Sequence, residues 1–352
     1  MTTADPTPDP TAWYIFDGTA IGRTDPTPDL ARLRRLPLPP SWRVFAHQGG
    51  ERARAFLPDQ ADIMHVNAAL YLRRPLLITG KPGSGKTTLA YAVAQELGLG
   101  PVLRWSITSR STLQDGLYQY DAVARLQDIE RMRLLPDGRA AEPTNIGRYL
   151  TLGPLGTAFY GTPDPERPDE RFPRVLLMDE IDKSDIDLPN DLLHVLEEGR
   201  FEIPELVRLK EQQPGVQVRG WGGGAERCRI DDGEVYCRAF PLVIMTSNGE
   251  REFPPAFLRR CLRLRMQPPN PDKLRRIVAA HLSPEPQHQP SIDALIAEFL
   301  RRRDVDHKLL ATDQLLHAVA LTIAGVDLAQ FCGGKIDDDG VLGALYAPLD
   351  GD

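Results

Sequence analysis

Gly80-Lys81-Pro82-Gly83-Ser84-Gly85-Lys86-Thr87 is the stretch that decides the fold. It fits G-x-x-x-x-G-K-[ST], a pattern that carries meaning only when a strand precedes it and a helix follows. Both flanks read that way: Leu76–Thr79 is a short apolar strand pattern, and Thr88–Leu97 is helical and ends at Gly98, a C-cap residue. Gly83 and Gly85 let the backbone approach phosphate oxygens, while successive amides and the helix N-terminus present partial positive charge. The spacing predicts Lys86 on the β- and γ-phosphates and the Thr87 hydroxyl on magnesium. The run Lys81, Pro82, Gly83, Ser84, Gly85, Lys86, Thr87 and Thr88 is expected to line a bound nucleotide, with ATP and Mg2+ as the ligands.

Three further segments supply the remaining chemistry. Arg174-Val175-Leu176-Leu177-Met178-Asp179-Glu180 reads as a buried strand that delivers two carboxylates at its C-terminal end, where ligands bind in open α/β sheets. Asp179 is expected to hold the magnesium, directly or through water, and Glu180 to orient and deprotonate an attacking water; Asp182 reads as a solvated or helix-capping residue. Leu242–Thr246 is another apolar strand, followed by Ser247 and Asn248. Lying between the other two strands, it would put the Asn248 amide at the γ-phosphate, positioned to hold the lytic water. Pro254-Pro255-Ala256-Phe257-Leu258-Arg259-Arg260 ends a short helix before the strand pattern Leu262–Met266. In a ring, Arg260, with Arg259 in reserve, would offer a guanidinium to a neighbouring subunit's γ-phosphate.

With Val102–Ile107 these runs alternate with helical patterns, which implies a parallel sheet with helices on both faces. Pro189–Glu198 is one such helix. After Gln267 the pattern becomes helical: Pro271–His281, Ile292–Arg303 and Thr312–Ile323, the first two separated by a loop at Ser283–Pro290. The expected organisation is an N-terminal arm over 1–45, an α/β domain over 46–269, a helical lid over 270–330 and a frayed tail over 331–352. The arm holds Asp-Pro-Thr-Pro-Asp twice, at 5–9 and 25–29, and eight of the 32 prolines. Proline restricts its predecessor and removes a donor, so these runs read as extended linkers; Trp13-Tyr14-Ile15-Phe16 between them reads as a short strand. The 352 residues carry 42 basic and 49 acidic side chains, a net charge of -7, which weighs against a nonspecific nucleic-acid binder. No stretch approaches a membrane span and no leader pattern opens the chain, so a cytoplasmic location is expected.

Taken together, these motifs resemble those of AAA+ ATPases, and within them the MoxR branch. The narrower resemblance rests on Asn67–Leu77 before the phosphate loop, on Ser109–Gly116 with Leu117-Tyr118-Gln119-Tyr120-Asp121, and on Asn190–Ile203 after the acidic pair. It spans about residues 45–325. The resemblance implies a P-loop NTPase with a five-stranded parallel sheet, an insertion in the second helix (about 109–160), a hairpin insertion (about 205–240) and an all-helical lid. It also implies a hexameric ring that hydrolyses ATP to remodel or activate a partner protein, often one with a von Willebrand factor A domain. The hairpin is supported by Asp232-Gly233, a two-residue turn signal that places Asp231 opposite Glu234 and, further out, Cys228 opposite Cys237. In a reducing compartment those thiols stay free, and Cys-x8-Cys without a second ligand pair argues against zinc. Cys261 falls in a core strand pattern and Cys332 stands alone. AAA+ lids commonly supply an arginine at the third lid helix; here Lys308 precedes that helix and would have to substitute without arginine's planar fork. His194 and His317 sit in helical patterns and read as packing or solvent-facing residues.

The alternative is a nucleotide-operated switch or scaffold with little turnover, within a multiprotein defence or signalling system. A nucleic-acid motor is disfavoured by the charge balance, and a GTPase by the lack of an Asn-Lys-x-Asp motif.

Overall fold

The computed structural model describes residues 15, 30–37, 39–40, 56–133, 145–167, 169–222, 226–326, 328 and 340–349. The Asp-Pro-Thr-Pro-Asp copies, the Trp13–Phe16 strand apart from Ile15, and Cys332 lie outside them. In chain order the strands are β1 (Leu76–Thr79), β2 (Leu103–Ser106), β3 (Tyr118–Tyr120), β4 (Leu150–Leu152), β5 (Thr162–Pro163) and β6 (Arg171–Phe172). There follow β7 (Val175–Asp179), β8 (Arg200–Glu202), β9 (Gly215–Arg219), β10 (Arg227–Asp231), β11 (Glu234–Tyr236), β12 (Leu242–Ser247) and β13 (Leu262–Arg265). The α-helices of five or more residues are α1 (Gln60–Leu72), α2 (Lys86–Glu96), α3 (Leu113–Leu117), α4 (Ala122–Arg133), α5 (Pro154–Tyr160), α6 (Leu188–Glu198) and α7 (Pro255–Arg260). They continue with α8 (Pro271–Leu282), α9 (Gln289–Leu300), α10 (Thr312–Ile323) and α11 (Val341–Leu345).

Packing divides the chain into two compact units, residues 58–81 with 85–267, and residues 1–57 and 82–84 with 268–352. The first contains a five-stranded parallel sheet in the order β13-β1-β12-β7-β2. Every residue of β7 and β12 is buried, as a sheet covered on both faces requires, and their apolar runs reflect it. β12 lies between β1 and β7, as the placement of Asn248 required.

A second sheet, β3-β4-β9-β10-β11-β8, joins the two insertions: β4 from the first pairs in parallel with β9 from the second through Thr151 and Arg219. The expected hairpin turn forms, with Asp231 opposite Glu234, but the register stops there. Beyond that pair β10 is held by β9, setting Cys228 against Val218, while β11 pairs with β8. That arrangement buries Val235 and Phe201, and the Cys237 amide is drawn to the Gly199 carbonyl at 2.7 Å. Cys228 and Cys237 therefore do not face each other, and both are free thiols, as is Cys261, which is buried just ahead of β13 rather than within it.

The turn Ile146–Tyr149 lies against β9 so closely that a Cβ on Gly147 would sit 2.1 Å from the Gln217 carbonyl oxygen. Gly147→Ala is expected to destabilise the fold by about 1–3 kcal/mol through overpacking. Denaturant unfolding with an unshifted midpoint would show that the two insertions are not held this tightly.

The second unit is helical from Pro271 onward. The loop before α9 is shorter than the sequence suggested, because Pro286–His288 forms a 3-10 turn and the helix starts at Gln289. At its other end, the expected run through Arg303 changes to a π turn at Arg301–Val305. The buried Glu298 carboxylate accepts from Arg301 at 2.8 and 3.0 Å and from Arg302 at 3.0 Å; the paired guanidiniums hold it below the usual glutamate range. The tail is not uniformly frayed: α11 puts Leu342 in the lid core and Tyr346 edge-on to Phe299 at 5.8 Å. Its aspartate-rich surroundings hid two apolar anchors. Among the described residues no helix is long and apolar enough to cross a membrane.

Candidate nucleotide-binding site

The parallel sheet brings the phosphate-loop lysine, the carboxylate pair and the amide to adjacent strand ends. The loop leaves β1 and enters α2 through Gly83 and Gly85, both with positive φ (71° and 94°), a conformation costly for a side-chain-bearing residue. Lys86 opens α2, and its ammonium donates to the Gly80 carbonyl at 2.7 Å, the Lys81 carbonyl at 3.0 Å and Asn248 Oδ1 at 2.8 Å. Burial pushes the Lys86 ammonium below the ordinary lysine value, opposed by the charges of Asp182, Asp179 and Glu180 in that order.

Asp179 ends β7, and its carboxylate is fully engaged. Oδ1 accepts from the hydroxyls of Thr87 at 2.9 Å and Thr246 at 2.7 Å, and Oδ2 pairs with Arg104 at 2.6 Å. Glu180 follows in the left-handed region (φ 62°, ψ 49°), which a non-glycine residue adopts only under constraint. The Thr246 hydroxyl supplies part of it, accepting the Glu180 amide at 3.0 Å. The Glu180 carboxylate is partly exposed and pairs with Lys183 at 2.9 Å, the largest influence raising Lys183 above its usual value.

Asp182 departs most from its sequence reading. It is neither solvated nor a helix cap: it is 4% exposed, and Oδ2 accepts three consecutive amides, Asn248 at 2.9, Gly249 at 3.0 and Glu250 at 3.1 Å. Gly249, with φ 83°, supplies the curvature that makes the three converge.

Thr246, Arg104 and Lys183 receive no role from the sequence. Thr246 left a signal, since a hydroxyl in a fully buried strand must find a partner. Arg104 left another, since the alternation Leu103, Arg104, Trp105, Ser106 in β2 turns its side chain from the core.

The arginine pair ends α7. Arg74 caps that helix, donating to the carbonyls of Arg259 at 2.5 Å and Arg260 at 3.1 Å. Arg260 forms an ion pair with Glu197 of α6, whereas Arg259 is exposed. Lys308 belongs to the other unit, where its amide donates to the Arg302 carbonyl at 3.0 Å. His194 is exposed. Burial pushes the thiols up to about 12 for Cys228 and Cys261 and about 11 for Cys237, which leaves them unreactive.

The residues suit a nucleotide with a hard divalent cation. The Ser84 hydroxyl is buried with no partner in the loop, an orphan that a phosphate oxygen would satisfy. Thr87 gives its proton to Asp179 and keeps its lone pairs, and the available donors are oxygens, the ligand class magnesium takes.

Crystal structures of NtrX from Brucella abortus, one in complex with ADP and one with ATP, are similar to this chain at 14% identity and a TM-score of 0.36 each. The first alignment covers 83% of this chain and 54% of NtrX, the second 82% and 53%, so the chain spans about half the length of those structures. No curated protein matches it. The family match falls on the segment that carries the loop, the carboxylates, the amide and the arginine helix: over residues 75–261 the chain belongs to the AAA domain family, dynein-related subfamily.

Proposed function

We propose that this chain is a MoxR-type AAA+ ATPase that hydrolyses ATP to remodel or activate a partner protein. The observation that carries the reading is the joining of Lys86 to Asn248 and of Thr87 to Asp179 at the ends of three adjacent strands. Phosphoryl transfer to water needs positioning and charge neutralisation more than covalent chemistry. Lys86 exchanges its carbonyl and amide partners for phosphate oxygens. Thr87 and Asp179 would hold the cation, Asp179 directly or through water, while its carboxylate accepts the Thr87 hydroxyl hydrogen bond. Asn248, freed from Lys86, holds the water, and Glu180 takes its proton after leaving Lys183. The magnesium ion, when bound, neutralises charge on the phosphates.

In a hexameric ring, Arg259 or Arg260 would reach the neighbouring subunit's nucleotide, Arg260 only by leaving Glu197. Lys308 would contact nucleotide from the lid. A von Willebrand factor A domain protein is the partner class that the MoxR resemblance suggests.

Steady-state phosphate release by the full chain with ATP and Mg2+, and its loss on chelation, tests the activity. ATP-dependent release that GTP does not match is expected. Tight nucleotide binding without turnover, alone or with a partner, would instead assign the switch. Solution mass with a non-hydrolysable ATP analogue tests the ring: a chain that stays monomeric leaves neither arginine an acceptor.

A further inference from the structure

We propose that Asp182 is a positioning residue for hydrolysis, fixing the backbone from which the Asn248 side chain projects by anchoring the turn that follows β12, so that the amide stays in place when Lys86 turns to phosphate; this rests on the ATPase reading above. The geometry runs in one direction. A single carboxylate oxygen gathers the amides of Asn248, Gly249 and Glu250 within 3.1 Å. Charge-assisted bonds of this kind are about twice as strong as neutral ones, and three on one atom leave the turn little freedom. The Asn248 side chain leaves the rim of that turn and meets Lys86 at 2.8 Å. Lys86 is itself fixed by two phosphate-loop carbonyls. Asp182 sits on the 3-10 turn Ile181–Lys183, directly after the strand that ends in Asp179. One short segment therefore carries Glu180 and sets the amide opposite it. Asp182 acts on Lys86 by its charge and not through a hydrogen bond, and its other oxygen, Oδ1, is buried and has no hydrogen-bond partner.

Two variants and two readouts test this. In Asp182→Asn the amide oxygen can still accept, but the charge is gone; Asp182→Ala removes the anchor altogether. Hydrogen exchange on the ligand-free full chain should show the amides of residues 248–250 exchanging at least tenfold faster in Asp182→Ala, with Asp182→Asn between it and the parent. This readout needs no turnover and remains informative if Asp182→Ala proves too unstable to assay, because Asp182→Asn then carries the comparison. Unchanged exchange in Asp182→Asn and Asp182→Ala overturns the anchor.

In kinetics, Asn248→Ala and Asp182→Asn should each lower kcat about tenfold or more, with KM for ATP moved less than threefold. The double variant should be no slower than Asn248→Ala alone, because residues acting through one another are not additive. Full additivity, or an Asp182→Asn enzyme with parental kcat beside an impaired Asn248→Ala, overturns the relay while leaving the ATPase reading intact. An unimpaired Asn248→Ala overturns the role of Asn248 and the relay with it, and absence of turnover in the parent chain is the failure of the ATPase reading itself.

Discussion

Replacing Glu180 with glutamine is expected to lower ATP turnover by roughly 10²–10⁴-fold, the usual contribution of a general base, while nucleotide affinity stays within a few-fold of the parent. The two halves of that result have separate causes. Glutamine matches glutamate in size and bears the same left-handed backbone strain, so the turn after β7 is retained. Asp179 keeps Thr87, Thr246 and Arg104, and the phosphate loop is untouched. What disappears is a carboxylate able to take a proton from water. The variant should hold ATP long enough for the bound nucleotide to be recovered unhydrolysed after gel filtration and identified by chromatography. Turnover within twofold of the parent would remove Glu180 from its assigned place.

Lys86→Ala acts on binding instead. The ammonium is buried among two carbonyls and an amide oxygen, so the substitution deletes a positive charge from a poorly solvated site. Hydrogen bonds that involve a charged group contribute about 1.5–3 kcal/mol each, and the loss of one or two corresponds to roughly 10–10⁴-fold weaker ATP binding. Titration calorimetry with ATP and Mg2+ measures this directly. Affinity within threefold of the parent would mean that phosphate is held elsewhere. Lys86→Arg is not expected to rescue binding, because a planar guanidinium cannot occupy a space shaped around a point charge with three donors.

The fold was legible because its determinants are local. The apolar runs at 76–79, 175–179 and 242–247 are read from composition alone, and the Gly-rich loop between strand and helix fixes which family of sheets they enter. Lys86, Thr87, Asp179 and Asn248 are legible as candidates for the same reason: each sits at a fixed offset from a strand end, and the structure brings them together. Asp182 was misread because its partners are amides 66 to 68 residues away, and backbone donors leave no trace in a sequence. The hairpin register failed for a related reason. Asp232-Gly233 specifies a turn, but how far two strands stay paired depends on what competes for their outer edges, here β9 and β8. Tyr346 does carry a signal: Leu342, Leu345, Tyr346 and Leu349 fall at i, i+3, i+4 and i+7, a helical apolar spacing overshadowed by the aspartate run before it.

The strand order of the central sheet has a consequence for the chain as it is made. β1 precedes every other strand of its sheet in the chain, yet both of its neighbours, β12 and β13, begin at residues 242 and 262. At roughly 5–20 residues per second the ribosome needs on the order of ten seconds to supply them. β2 and β7, which pair directly, are both available earlier. From Thr87 until β12 is made, about 160 residues later, a nascent chain thus carries its complete phosphate loop with no strand of this sheet on either side of β1.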